Sequence, residues 1–439
     1  MAATKRPSRE GRAPLARHGV LRSRHPLVTM LGMLGVVLAV VGVSVAGIAA
    51  YNVWDATQTV AANAVVLDEE KPLPPSLGAI EGGVNILMVG TDSCEGANKD
   101  LSAACKNGDT EGERNDVTML VHISDEPRRV TVVSIPRDML VPIPACPKED
   151  GNGSYSAMSS QMINASYQYG GLACTVKTVE TLIGDKIDFA AAIRWTGVIN
   201  MSDAIGGVDV CVADDISDGN TGLSLSAGNH TLQGAQALQF LRIRHGIGDG
   251  SDLGRISNQQ QFMSSMVRKL QSDSVLANPA RLLNLATTAI NQVQQEQLVL
   301  SSGLTNPTLM VQIAMAVKDV PYEDIVFVQY PTRYVSDGGP SSRVVPVKDA
   351  AQVLFDALKA NQPLTLTGDA SQGYGVEVTG EAVKPPTTPT PEATADAGAT
   401  PAAGETPAAE APVAETRVEL PSQIAGQTAA QTTCTQAQR

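Results

Sequence analysis

Aromatic side chains are scarce: five Phe, two Trp and eight Tyr in 439 residues. So few rings cannot build the stacking platforms on which single-stranded nucleic acids are held. A positive surplus is missing as well. Against 32 Lys and Arg stand 45 Asp and Glu, a formal net charge of −13, the opposite of a nucleic-acid-binding footprint. Nucleic acid is therefore excluded as a partner. The six cysteines form no C-x-x-C, and no Cys/His cluster has zinc spacing. There is no P-loop and no G-x-G-x-x-G, so a nucleotide is not indicated. A G-x-S-x-G nucleophile elbow is also absent.

What is present is a concentration of guanidinium groups. The stretch Ala237–Phe262 carries Arg242, Arg244 and Arg255 through four glycines and into a helix that places Gln259 one turn after Arg255. Asp252 is the N-cap candidate of that helix. A helix start offers free N–H groups and partial positive charge. Arg adds bidentate donors that stay ionised. Together these suit a phosphate or pyrophosphate. The plainer alternative is a run of solvated arginines paired with Asp249 and Asp252.

The chain divides by composition. Residues 1–26 are basic, and Leu27–Ala50 contain no charge over 24 residues, more than the roughly 20 needed to cross a bilayer. Basic residues precede this run and none follows before Lys71, which places the N-terminus in the cytoplasm and the rest outside. The apolar run is too long for a cleaved signal peptide. Residues 51–80 read as a stalk and 81–371 as one extracytoplasmic domain. The Pro-, Thr- and Ala-rich tail, 372–439, reads as disordered, with the Cys434 segment folding back if that cysteine is bridged.

An oxidising compartment suits disulfides. Cys94–Cys105 and Cys146–Cys174 each bracket a polar loop. Cys211 and Cys434 are either a long-range pair or leave Cys211 as a buried thiol.

Within the domain, the runs Val84–Asp92, Arg114–Ile123 and Val130–Asp138 read as strands of an open α/β sheet, each with an acid or an Arg at one end. Ligands bind at strand ends in such sheets. Residues 156–182 read as helical, 214–232 as a turn-rich loop, 261–318 as amphipathic helices, Asp324–Pro331 as the last core strand and 347–360 as a closing helix. The polar groups gathered at the sheet mouth are Asp92, Arg114, Asp116, Arg137, Asp138, Arg242, Arg244, Asp252, Arg255 and Gln259. Arginines beside carboxylates suit a polyanionic ligand with a hard divalent ion. His122 reads as core; His245 is a candidate proton shuttle.

Read in order, V-G-T-D, R-N-D, S-I-P-R-D, I-N-A-S-Y with G-G, R-I-R-H and D-L-G-R-I-S-N-Q-Q-Q resemble the LytR–CpsA–Psr proteins over Val84–Leu270. The tail and paired cysteines look like actinobacterial members. The resemblance implies a membrane-anchored three-layer α/β/α domain with a central mixed sheet and an apolar lipid pocket. It implies a phosphotransferase that moves a glycan from a polyprenyl pyrophosphate donor onto a peptidoglycan acceptor. Arg114, Arg137, Arg242, Arg244, Arg255 and Gln259 would then hold the pyrophosphate. Asp92 and Asp116 would bind Mg²⁺ or Mn²⁺, one of them aiding deprotonation of the acceptor, with Arg137 and Arg244 at the reacting phosphate. Asp252 and Asp138 would be supporting groups, Asp252 by orienting Arg255. Many relatives have Lys where this chain has Met162; either the site has one cation fewer or Lys177 compensates. The helices of 261–318 fit the walls of a lipid pocket or ordinary core equally well. The competing functions are a pyrophosphohydrolase using water, and a non-enzymatic polyprenyl-lipid-binding envelope regulator.

Overall fold

A computed structural model describes residues 64–67, 83–108, 112–148, 151–272, 279–335, 343–382 and 416–438. The apolar run at 27–50 and most of the stalk lie outside the described residues. Among those described, no helix is long and apolar enough to cross a membrane.

The centre is a seven-stranded mixed sheet. In chain order its strands are β1 (Val84–Thr91), β2 (Asn115–Ile123), β3 (Val130–Ile135), β4 (Phe189–Arg194), β5 (Leu298–Leu300), β6 (Ile325–Gln329) and β7 (Gly426–Thr428). Their spatial order is β5-β4-β1-β2-β3-β6-β7. β1 runs parallel to β4, and β3 parallel to β6; the other neighbours are antiparallel. The three N-terminal strands are continuous apolar runs because helices cover both faces.

One face, with Leu87, Val89, Leu120 and Val133, packs on helices α1 (Gly171–Ile183) and α7 (Lys348–Lys359) through Val179, Leu354 and Leu358. The other, with Ile86, Met119, Val132 and Phe189, packs on α4 (Asp252–Gln271), α5 (Pro279–Gln294) and α6 (Pro307–Lys318). Leu87 and Leu120 are fully enclosed, where truncation to Ala costs about 2–5 kcal/mol. Two further helices flank the site, α2 (Trp195–Ala204) and α3 (Gly234–Arg242).

Four expectations are corrected. Met158–Met162 is not helical; it is a strand paired with Leu140–Ile143. The loop at 214–232 contains a hairpin, Ile216–Asp218 against Leu223–Leu225, and a strand, Gly228–Leu232. The sheet does not end with β6, because β7 pairs beyond it. The tail boundary at 372 also fails. Val376–Glu381 and Gln431–Thr435 pair with each other, and Gln431–Thr435 joins Val208–Val212 in a second, four-stranded sheet. The composition of 383–415 masks a C-terminal segment that does bury surface: Ile424, Ala425 and Ala429 are enclosed.

All three cysteine pairs are disulfides: Cys94–Cys105, Cys146–Cys174 and Cys211–Cys434.

Candidate functional site

The ends of β1 and β2 differ from a regular ladder by one residue. Gly90 opposes Val117 while Thr91 opposes Asn115, so Asp116 is the unpaired residue of a bulge. Bulges re-aim side chains beside functional sites. Arg137, two residues beyond β3, meets it: Nη1 lies 2.6 Å from Asp116 Oδ1. Its Nε lies 3.6 Å from Asp252 and 3.8 Å from Asp138. Arg255 bonds Asp252 at 2.6 Å and donates to the Asp116 carbonyl at 3.0 Å. Asp116, Arg137, Asp252 and Arg255 thus form one ion-pair network, buried at Asp252 and Arg255 and half-buried at Asp116 and Arg137, spanning β2, the end of β3 and the start of α4.

Ser251, not Asp252, caps α4, its Oγ accepting from Gly254 N at 3.2 Å. Asp252 is the first helical residue, where its charge meets the positive end of the helix. That position leaves its carboxylate aimed at the two arginines.

Electrostatics separates the carboxylates. Burial raises the pKa of Asp116, but Arg137 and Arg255 outweigh it and hold the group below its ordinary value. Asp92 is pushed up to about 6, by burial and then by the Asp116 charge, against a hydrogen bond from Arg114 N at 2.7 Å. Asp138 is raised by burial and by Asp252. Arg137 stays firmly charged, because Asp116, Asp252 and Asp138 outweigh burial.

Arg242 sits differently. Its guanidinium stacks 3.9 Å from the centre of the Trp195 ring and donates to the Leu101 carbonyl at 3.5 Å. Among the described residues no carboxylate comes within ion-pairing distance of it. Burial lowers its pKa, an effect the more distant Asp116 and Asp92 only partly offset. Arg244 donates from Nε to Gly250 O at 2.9 Å, and its own N–H is bound by buried Asp218 at 3.3 Å. Arg114 donates from Nε to Gln168 at 3.1 Å.

Against this polar ridge opens an apolar cavity of about 130 Å³. Met88, Met119, Trp195, Leu238 and Met263 line it, and Asp116, Arg242, Arg255 and Gln259 stand at its polar edge. Met88, mid-way along a central strand, is 38 % exposed for this reason alone. Among the described residues of 261–318, Met263 alone reaches the cavity; Val293, Leu309 and Ile313 pack as ordinary core.

The sequence matches the LytR_cpsA_psr family model over residues 50–357. The chain belongs to the LytR_cpsA_psr family.

It is similar to the cell wall biosynthesis protein LcpA of Corynebacterium glutamicum, with 28 % identity over 67 % of this chain and 59 % of that protein, so the match spans little more than half the length of that relative. A protein named polyisoprenyl-teichoic acid–peptidoglycan teichoic acid transferase TagU, from Enterococcus faecalis, is 25 % identical over 57 % of this chain and 74 % of its own. Among solved structures, the LytR-Csp2A-Psr enzyme from Actinomyces oris is 23 % identical with a TM-score of 0.48, covering 68 % of this chain and 96 % of that one.

Of the residues expected in this LytR_cpsA_psr site, the structure draws Asp116, Arg137, Asp138, Asp252 and Arg255 into ion-pairing range. Arg242 and Gln259 join them at the cavity, Asp92 and Arg114 on the neighbouring strand ends, and Arg244 across from Asp138. Gln259 is not a free hand: Nε2 donates to Leu241 O at 2.9 Å, and Asn258 donates to Phe240 O at 2.8 Å. These two amides satisfy the last carbonyls of α3 and so fix the helix that carries Arg242. Met162 lies in a strand and is half-buried. Lys177 lines a separate groove with Lys148 and Asp188. His245 is exposed and does not line the cavity. Two site residues escaped the sequence reading. Trp195 had no signal beyond being one of two tryptophans. Asp218, within the stretch that reads as a turn-rich loop, is 3 % exposed.

Proposed function

We propose that the chain is a phosphotransferase that moves a polyprenyl-pyrophosphate-linked glycopolymer onto peptidoglycan, anchored through residues 27–50 with its catalytic domain outside the membrane. One observation carries this reading: an apolar cavity ends on Asp116, Arg242, Arg255 and Gln259. A lipid diphosphate has that same polarity, apolar chain then anion. At about 130 Å³ the cavity is smaller than the roughly 300–1,000 Å³ of typical ligand pockets. It would take the first part of the chain, with the remainder leaving past Met88.

Arg242 has the strongest need of a ligand anion, since a buried charge without a counter-ion is costly. Arg137 and Arg255, held by Asp116 and Asp252, keep fixed donors where charge develops on the transferring phosphate. Arg114 and Arg244 extend this set. A divalent cation fits the donors present. Among the described residues no three acids, histidines or cysteines are grouped to hold a metal, but Mg²⁺ typically uses one or two carboxylates plus substrate phosphate. Asp92 and Asp116 would hold Mg²⁺ or Mn²⁺, which when bound supplies charge neutralisation on the phosphate oxygens. In the transfer, the acceptor hydroxyl oxygen bonds to the sugar-bearing phosphorus, and its proton passes to Asp92. The bond from that phosphorus to the bridging oxygen breaks, and polyprenyl phosphate leaves.

The test is release of polyprenyl phosphate from a pyrophosphate-linked donor by the purified extracytoplasmic chain. Turnover should need a glycan acceptor and vanish in Arg242→Ala/Arg244→Ala. Unchanged turnover in that double variant defeats the assignment, and acceptor-independent sugar phosphate release would mark a hydrolase.

A further inference from the structure

The apolar cavity lies at one edge of the charged ridge. At the other edge the structure presents the scarce aromatic rings. Tyr334 and Tyr374 are 43 % and 62 % exposed, among the largest apolar surfaces left open in the described residues. Tyr334 belongs to a hairpin, Thr332–Tyr334 against Val344–Pro346. That hairpin is tied to the site where Val344 N donates to the Asp138 carbonyl at 3.3 Å. The Tyr334 hydroxyl lies beside the Ser251 side chain, close to Asp249, Asp252 and Arg244.

Tyr374 reaches the same place by a different route. The Gly373 carbonyl accepts from Asp249 N at 2.9 Å, and Ser257 Oγ donates to the Gln372 carbonyl at 3.2 Å. A Cβ on Gly373 or Gly375 would collide with Gly254, and one on Gly373 also with Ser251. The backbone of 373–375 is therefore pressed onto the first turn of α4, with Tyr374 standing between two glycines. Tyr374 itself has φ +52°, a left-handed conformation that costs a residue with a Cβ about 1–2 kcal/mol. Glycine would fit there without strain; a bulky exposed ring has been kept. Strain of this kind gathers at functional positions.

Tyr334 and the backbone that carries Tyr374 thus both meet Ser251, beside exposed Asp249. Ring faces beside carboxylates are the chemistry that recognises a sugar: C–H faces on the rings, hydroxyls on the acids. We propose that Tyr334 and Tyr374 form a carbohydrate subsite next to Arg244 and Asp252, taking a saccharide unit adjacent to the diphosphate. The claim rests on the transfer reading above, and it orders the ligand across the ridge as lipid, diphosphate, sugar. The saccharide belongs either to the donor glycan or to the acceptor glycan.

Two measurements separate these sources and separate this claim from the transfer reading. First, titrate the full extracytoplasmic chain with geranylgeranyl diphosphate and with its N-acetylglucosaminyl ester. The wild type should bind the sugar-bearing ligand at least ten-fold better. Tyr334→Ala/Tyr374→Ala should lose that advantage with bare diphosphate affinity unchanged, and Tyr334→Phe/Tyr374→Phe should keep it. This outcome assigns the subsite to the donor. Second, follow chitotetraose by saturation-transfer NMR. A signal in the wild type that is lost in the double Ala variant supports an acceptor subsite, even if no diphosphate binds and the transfer reading fails. An intact sugar advantage or an intact chitotetraose signal in the double Ala variant overturns the proposal. So does a wild type with neither response.

Discussion

Arg137 and Arg242 stand at opposite ends of one ridge and are held by opposite means. Arg137 is fixed by carboxylates, with Asp116 at 2.6 Å and Asp252 at 3.6 Å. Arg242 is held by an aromatic face and a carbonyl, with no carboxylate at ion-pair distance among the described residues. The first arrangement is an ion-pair network in which Arg137 Nε and Arg255 Nε lack hydrogen-bond partners among the described residues, so it also offers donors. The second is a buried cation whose electrostatic compensation is left for a ligand. The same side chain therefore serves stability at one place and binding at the other.

The sharpest way to break that contrast is to remove each charge in turn. Arg137→Met takes from Asp116 its 2.6 Å partner, while Asp252 keeps Arg255, and losing one partner of a buried pair costs up to about 3–5 kcal/mol. Arg242→Met removes a desolvated charge and keeps an apolar stem. Its stability should stay within about 1 kcal/mol of wild type, while turnover falls on the order of 10²–10³-fold. Urea unfolding and donor turnover measure both. Equal destabilisation by the two substitutions would erase the distinction drawn here.

Asp92 gives the next largest effect. Its pKa of about 6 lies above the ordinary 3.8, so the folded protein holds a proton that the unfolded chain has lost. Stability attributable to this group therefore falls as pH rises from about 4 to about 6, and the deficit is fully present above that. Asp92→Asn should recover about 1–2 kcal/mol at pH 7.5, discounted for screening, and nothing near pH 3.5. Turnover should fall in Asp92→Asn at every pH, because the variant lacks the carboxylate that takes the acceptor proton. A variant less stable at pH 7.5 would show that the carboxylate is compensated after all.

A smaller effect tests the Arg242 side alone. Trp195→Phe keeps a ring but weakens the cation–π contact, which is worth about 0.5–2 kcal/mol. Donor affinity should drop a few-fold with pH dependence unchanged. An unaltered affinity would mean the ring only fills space.

How far the sequence announced this site follows from what each signal needs. β1, β2 and β3 were legible because strands buried on both faces read as unbroken apolar runs, and their ends carried Asp92, Asp116 and Arg137. The bulge at Asp116 was not, since a one-residue slip leaves no mark on composition. Met158–Met162 pairs as an edge strand beside Leu140–Ile143, and its Ser and Gln residues gave no clear period. The N-Q-Q-Q run of α4 was read only for Gln259 as a ligand contact. In fact Asn258, Gln259 and Gln261 bond carbonyls of Phe240, Leu241, Cys211 and Thr433, long-range partners that only the fold supplies. The C-terminal strands were hidden behind a Pro- and Thr-rich stretch whose composition dominated the reading of everything after it. Trp195 was one aromatic among few, and nothing local tied it to Arg242.

The finest distinction concerns the two exposed tyrosines at the far edge of the ridge. If Tyr374 is kept strained at φ +52° for its ring, Tyr374→Gly should relax the backbone. The left-handed penalty of about 1–2 kcal/mol disappears, while glycine's extra freedom in the unfolded chain takes back about 0.4–1 kcal/mol. A net gain of about 0.5–1 kcal/mol should appear in thermal unfolding, with sugar recognition weakened in the same protein. Gain of stability with loss of binding is the pattern expected where strain serves function. A Gly variant that is less stable would mean the ring packs against the domain and that its exposed face is incidental. One that is more stable with full sugar recognition would leave Tyr334 as the sole aromatic contact, and the ligand would then cross the ridge on the Asp138 side alone.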